Sequence, residues 1–372
     1  MLTPRRLGRL SLLVALTLGA GLLLGAPATA TYPGPDGRIA FDDFNTGQLY
    51  SINPDGTGLR QLTSLPEGSF AFLPDWSPDS RRIAFSSNLG GDFRLYTINR
   101  DGSDQRLVFD DEAGYGDLFP GYTPDGRRLV FQRCLPDDGV CAIYSVRLDG
   151  GGLRALTEFK TGANEANDFW PTVAPDGRIG FGRYGAGGIT SQVYVMRADG
   201  TGAHPITPPA LLAIPGEWTP DSRHLLVASN GFRLNSAIYQ VRPDGSGLRR
   251  LTRPPYPSND NLASPSPGGE RVVFVSDRRY PDICCNDLYV MRADGSGLHR
   301  VPTGDLNGVS NPDWGSAPRD SGAGAAAVAA GSQPLSGGRS ATFAARWCAP
   351  GPEPQLTGPC GTRAGLHKRA DR

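Results

Sequence analysis

The chain of 372 residues carries 37 Lys+Arg against 37 Asp+Glu, with 38% hydrophobic and 9% aromatic residues, a length that fits two or three compact units or one large repetitive one. Binding to nucleic acid or to an anionic membrane rests on clustered excess Lys and Arg, so a formal net charge of +0 excludes a general electrostatic drive toward either. Gly 50 and Pro 33 together fall just below the share of an unpatterned low-complexity chain, so the fold turns on whether these residues recur in register.

At the N-terminus, Arg5, Arg6 and Arg9 precede an uncharged run from Ser11 to Ala26, and Ala28-Thr29-Ala30 places small residues at a cleavage site. Residues 1–30 therefore read as a secretory signal peptide. The apolar run is shorter than the roughly 20 residues of a membrane anchor and ends at Pro27. Cleavage is expected to leave a chain starting at Thr31 that is secreted or periplasmic and has no membrane span. No cysteine precedes Cys134, which excludes a lipid-modified cleavage site.

From there one pattern recurs six times: GPDGRIAF at Gly34, WSPDSRRIAF at Trp76, YTPDGRRLVF at Tyr122, VAPDGRIGF at Val173, WTPDSRHLLVA at Trp218 and PSPGGERVVF at Pro265. An aromatic segment such as QLYSI or RLYTI follows each. A second turn comes next, at Asp55, Asp101, Asp149, Asp199, Asp244 and Asp294, spaced 45 to 50 residues apart. Short alternating runs of Ile, Val, Leu, Phe and Tyr between Asp-Gly turns are the mark of antiparallel hairpins, with glycine supplying positive φ and aspartate bonding the turn backbone. Each unit reads as four strands. One such unit cannot bury both faces alone, and radial stacking into an all-β six-bladed propeller solves this.

The first unit lacks the strand that elsewhere precedes the turn. Asn311-Pro312-Asp313-Trp314-Gly315 repeats the Pro74-Asp75-Trp76 pattern with no turn after it. It is expected to supply the missing inner strand and so to close the ring without edges. Residues 31–315 are thus the propeller. Residues 316–372, rich in Ala, Gly, Pro and Arg without period, are expected to be a disordered tail.

The repeat formula, P-x-W-[ST]-P-D-[GS]-x-x-[IL]-x-F followed by [IL]-Y-x-[MVI]-x-x-D-G-[ST] and a closing [LI]-T, closely resembles the TolB-type (WD40-like) propeller repeat. The resemblance implies an extracytoplasmic, non-enzymatic platform that binds a protein or another cell-envelope component, acts as a monomer and needs no cofactor. TolB itself carries an α/β domain ahead of its propeller, whereas here the first repeat follows the leader directly. What is expected is therefore the fold and the general interaction role, not a Tol-Pal role.

Other chemistry finds little support. No G-x-S-x-G elbow occurs. His204, His224 and His299 fall where sister repeats carry unrelated residues, so no catalytic or metal site is expected. The Asp-Gly turns lack the full ligand pattern of a calcium loop and read as turns. Trp76, Trp218 and Trp314 share one repeat position and read as packing between blades. Cys134 and Cys141 flank a tight turn that places them opposite each other, so a disulfide is expected there. Cys284, Cys285, Cys348 and Cys360 remain open.

In a propeller the innermost strands line a central channel, so ligand contacts are expected just ahead of them. Reading that position off each repeat gives Phe72, Asp117, Asn167, Asp168, Trp170, Glu217, Asp260, Asn261 and Asn311. This mixture of acids, amides and aromatics suits a basic or hydroxyl-rich partner. Asp168→Ala and Trp170→Ala are expected to weaken binding with little loss of thermal stability. The alternative is a carbohydrate-binding or carbohydrate-cleaving propeller, with two channel-mouth carboxylates about 5 to 9 Å apart beside an aromatic platform.

Overall fold

Within the second repeat, Arg82–Gly90 pairs antiparallel with Asp92–Asn99, setting Phe85 opposite Tyr96 with the two rings 5.7 Å apart. The same Phe–Tyr pair recurs across the corresponding hairpins as Phe41 with Tyr50, Phe131 with Tyr144, Phe181 with Tyr194 and Phe274 with Tyr289. Each is a cross-strand contact of the kind that fixes register on a half-buried sheet face. At each Asp-Gly turn the aspartate side chain accepts a backbone N–H two residues on, as Asp55 does from Thr57 at 2.9 Å and Asp101 from Ser103 at 3.0 Å. The Thr57 and Ser103 hydroxyls donate to the same oxygens at 2.6 Å, and these bonds first, with the backbone ones, hold both carboxyls below the usual range and engage them in the turn itself.

The computed structural model describes residues 32–318 except 112–113, 137–139, 161–165, 186–190, 230–234 and 281–284. The signal peptide expected over residues 1–30, the tail beyond 318, and Cys284, Cys348 and Cys360 lie outside the described residues. The described strands form six four-stranded antiparallel sheets, the blades of a propeller. The second blade runs from the centre outward as Ala71–Trp76, Arg82–Gly90, Asp92–Asn99 and Arg106–Leu107. The inner strands of the third to sixth blades are Gly116–Tyr122, Asp168–Val173, Ile214–Trp218 and Asp260–Pro265.

The first blade is built from both ends of the described chain. Val309–Ser316 lies inside Asp36–Asp43, with Ile39 opposite Trp314 and Ala40 opposite Asp313. Two glycines make this junction possible: a Cβ on Gly37 would lie 2.4 Å from the Ser316 carbonyl carbon, and one on Gly315 would lie 2.6 Å from the Trp76 ring. The propeller continues slightly past Gly315, since Ser316 is in the strand and the Ala317 N–H donates to the Pro35 carbonyl at 2.8 Å.

The core lies between blades rather than within them. One cluster joins Ala40, Leu49 and Leu62 of the first blade to Trp76, Ile83 and Phe85 of the second. Equivalent clusters follow around the ring, and the last packs Val273 and Val290 of the sixth blade on Ile39, Phe41 and Trp314 of the first. Trp76, Trp218 and Trp314 are buried in these clusters at 5%, 0% and 1% exposure, so the repeated tryptophan is a packing element.

Candidate functional site: the central channel

Every inner strand is interrupted by an irregularity of register about midway, between Phe72 and Asp75 in the second blade and between Phe169 and Thr172 in the fourth. At this point Leu73, Phe119, Trp170, Leu262 and Asn311 adopt positive φ of 61°, 55°, 51°, 53° and 47°. In the fifth blade the position is taken by Pro215, whose ring fixes φ in the negative range. Positive φ is costly for large residues and persists only where the surroundings enforce it. Here side chains of the preceding blade do so: the Leu73 N–H donates to Asp42 Oδ1 at 3.0 Å and the Trp170 N–H to Gln132 Oε1 at 3.1 Å. Bulges of this kind re-aim side chains, and these residues line the channel.

The result is a collar of Leu73, Phe119, Trp170, Pro215, Leu262 and Asn311 around a cavity of about 80 Å³. The Phe119 and Trp170 rings lie 5.1 Å apart. Asp75, Thr172, Glu217 and Asp313 line the same cavity two residues further along their strands. Three polar side chains at this level brace neighbouring blades. Asp313 Oδ2 accepts the Trp76 N–H at 2.7 Å, Asp75 Oδ2 accepts the Tyr122 N–H at 2.8 Å, and the Ser264 hydroxyl accepts the Trp314 N–H at 3.2 Å. The Thr172 hydroxyl donates to Glu217. Burial, reinforced by mutual repulsion, raises the carboxyls of Asp75 and Glu217 above the usual range. Asp313 is raised by burial and partly relieved by the bonds from Trp76 and Ser264.

The rear end of the channel is closed by a residue that belongs to no repeat. Tyr32, 6% exposed, donates its hydroxyl to the Thr123 carbonyl at 3.3 Å. Burial, with Asp75 and Asp313 next in effect, pushes its phenol far above the usual range. Two residues on, the Gly34 N–H reaches the Pro267 carbonyl at 3.3 Å. Thr123 and Pro267 follow the inner strands of the third and sixth blades, which face each other across a six-membered ring. Residues 32–34 thus span the rear mouth.

Of the residues expected to form the site, Trp170, Glu217 and Asn311 line the channel. The others are engaged between strands and blades. Asp168 receives a bidentate bond from Arg183 at 2.5 and 2.8 Å, and Asp260 one from Arg278 at 3.0 and 2.5 Å. Asp117 sits 3.3 Å from the Arg133 Nε without an aligned hydrogen bond, and burial pushes its carboxyl up to about 7 against that pull. Asn167 Oδ1 accepts the Cys141 N–H at 2.8 Å, Asn261 Oδ1 accepts the Ser236 hydroxyl at 2.7 Å, and Phe72 packs edge-on against Phe93 at 4.9 Å. Asn311 also donates to Asp42 at 2.9 Å. Sequence reasoning missed Leu73, Phe119, Asp75, Asp313 and Tyr32. The first four do carry a signal, the two residues flanking the proline of the P-x-W motif or its sister positions.

Cys134 and Cys141 are disulfide-bonded, as the turn between them implies. Gln132 Nε2 lies 3.0 and 3.2 Å from their two sulfurs while its Oε1 holds Trp170, so the bridge buttresses the collar. Cys285 is buried.

Comparison with known proteins agrees with this architecture. The family described as the TolB beta propeller domain matches residues 112–318. The chain is 36% identical over 69 residues to dipeptidyl-peptidase 5 of Porphyromonas gingivalis, covering 16% of this chain and 10% of that protein. It is 32% identical over 138 residues to an uncharacterized Agrobacterium fabrum protein, covering 37% and 44% respectively. The chain thus spans less than half the length of the curated relatives it matches. Among solved structures, TolB from Acinetobacter baumannii superposes with a TM-score of 0.59 at 20% identity, over 76% of this chain and 67% of that one. The chain belongs to the TolB beta propeller family.

Proposed function

We propose that the propeller is an extracytoplasmic, monomeric, non-catalytic binding module that docks a protein partner of the cell envelope on the front mouth of its channel. The collar carries this reading. Four large apolar side chains, Leu73, Phe119, Trp170 and Leu262, are held in one ring at positive φ. An aromatic and aliphatic anchor site that is rigid before binding loses little entropy on complex formation. The carboxylates beneath are less suited to acid–base work, because Asp75 and Asp313 each hold a neighbouring strand through a backbone N–H.

A glycan is the second reading, favoured by Trp170 standing in the same channel as Asp75, Glu217 and Asp313. The cavity of about 80 Å³ has room for a few waters and not for a sugar ring among the carboxylates, so a glycan would have to rest on the collar. A photo-reactive amino acid placed at Trp170 in one variant and at Asp125, exposed on the rear face, in another separates the readings in the native host. One discrete protein adduct from position 170 and none from 125 is the expected result. Adducts only from 125, or release of reducing sugar from envelope oligosaccharides by the purified protein, would overturn the proposal.

A further inference from the structure

On the rear face, where the first two blades meet the sixth, lies an open groove of about 550 Å³ lined by Asp36, Arg38, Asn53, Arg100 and Arg271 among others. Its charges do not balance. Arg271 is matched by Asp36 at 2.6 Å. Among the described residues Arg38 has only neutral acceptors: Ser51 Oγ at 3.0 Å, the Ser51 carbonyl at 2.8 Å, Asn53 Oδ1 at 3.0 Å and the Gly58 carbonyl. Arg100 lies over Trp76 with its guanidinium carbon 5.9 Å from the ring centre. Its Nη1 is shut off from water and has no hydrogen-bond partner among the described residues. Burial and the neighbouring Arg60 lower the pKa of both Arg38 and Arg100; Arg100 lowers that of Arg38 further, and Asp101 acts the other way on Arg100. The remaining acid of the groove, Asp55, is engaged in its own turn with Thr57 at 2.9 and 2.6 Å.

The fold does not require this cation. At the position of Arg100 the other repeats carry Pro54, Leu148, Ala198, Pro243 and Ala293. An arginine at this one turn leaves one buried N–H donor unanswered, a cost in stability, while the rest of its fork, half-buried on the groove wall, makes no hydrogen bond or ion pair among the described residues and is open to an acceptor. Guanidinium groups meet that need best with carboxylate or phosphate oxygens, through charge-assisted and often bidentate bonds. This cation–π contact with the indole uses none of the fork's donors. We propose that this groove is an oxyanion-binding site in which Arg100 and Arg38 receive a carboxylate of an acidic peptide or a phosphate group. It lies on the opposite face from the collar and does not depend on the partner proposed there.

The test is calorimetric titration of the full chain at fixed ionic strength with three probes: inorganic phosphate, an Asp/Glu hexapeptide, and the same hexapeptide in Asn/Gln form. Arg100→Ala places at the turn the residue already present at Ala198 and Ala293, so folding is expected to be kept, and circular dichroism checks this. Arg223→Ala removes an arginine whose side chain is 80% exposed on the same face and controls for general surface charge. The expected result is binding of the acidic peptide at least tenfold tighter than its neutral form, lost tenfold or more in Arg100→Ala and kept in Arg223→Ala. The same dependence with phosphate and not with the peptide assigns the site to a free oxyanion. Equal binding by wild type and Arg100→Ala, an equal loss in Arg223→Ala, or no binding of either anion overturns the proposal.

Discussion

The Tyr32 hydroxyl bonds the Thr123 carbonyl across 91 residues of chain, and this contact seals the channel beneath Asp75 and Asp313. Removing the ring should cost roughly 3 kcal/mol, as for a buried aromatic truncated to alanine. Tyr32→Phe should cost only about 1 kcal/mol, the net value of one hydrogen bond. Urea unfolding of the two variants checks the ordering. A Tyr32→Ala variant as stable as wild type would mean that the segment does not seat in the channel.

Ring closure by Val309–Ser316 makes a second prediction. A chain ending at Leu306 loses the inner strand of the first blade together with Trp314, buried to 1% in the cluster between the first and sixth blades. Its melting temperature should fall by roughly 10 °C or more relative to a chain ending at Pro318, given a loss of several kcal/mol. Equal melting temperatures would contradict closure.

Asp168 was read from the sequence as a ligand contact whose loss would spare stability. Its bidentate pairing with Arg183 changes that expectation. Asp168→Ala leaves a largely buried guanidinium without its partner, a loss of about 3 kcal/mol or more, and Asp260→Ala should do the same to Arg278. Thermal scans decide it. Unchanged melting temperatures in both would show that the two pairs are exposed to solvent.

The difference between Asp168 and Trp170 shows which parts of the molecule are legible in sequence. Blades and turns could be read because their signals recur around the ring, Asp-Gly at six turns and alternation in the strands, and the closing strand because Pro312-Asp313-Trp314 repeats Pro74-Asp75-Trp76. The role of Asp168 depends on pairing register, which sets it directly opposite Arg183, just as Asp117 lies opposite Arg133. A list of residues ahead of the inner strand does not show that register, although Arg133 and Arg183 do share a place two residues after the repeat phenylalanine. The collar depends on a bulge that turns Leu73 and Phe119 inward, and neither residue departs from strand composition. Tyr32 has no sister in any repeat, so nothing periodic could mark it.

The buried carboxyls set a pH dependence. Asp42, accepting from Leu73 and Asn311, is pushed up to about 7 by burial, and Asp75, Glu217 and Asp313 are raised for the same reason. A carboxyl whose folded value lies above its unfolded one binds more protons when folded. Its contribution is fully present below the unfolded value of 3.8 and is lost as pH rises through about 7. The turn aspartates, Asp199 and Asp244 among them, are shifted down and act in the opposite sense, losing their contribution as pH falls toward and below about 4. The melting temperature should therefore peak in the mildly acidic range, about pH 5 to 6, and decline toward about pH 8.5. Glu217→Gln, which keeps an acceptor for Thr172, should flatten that decline. A melting temperature that climbs steadily from about pH 5 to 8.5 would refute it.

The claim that the front collar binds a partner is tested most directly by affinity, measured against the protein captured by cross-linking at position 170. Trp170→Leu and Phe119→Leu install the residue already present at the same bulge position in Leu73 and Leu262, so the blades should remain folded. Each should weaken binding at least tenfold, as expected for an aromatic anchor at the centre of an interface, with the melting temperature within a few degrees of wild type. Wild-type affinity in both variants, with folding intact, would contradict the collar as the docking site.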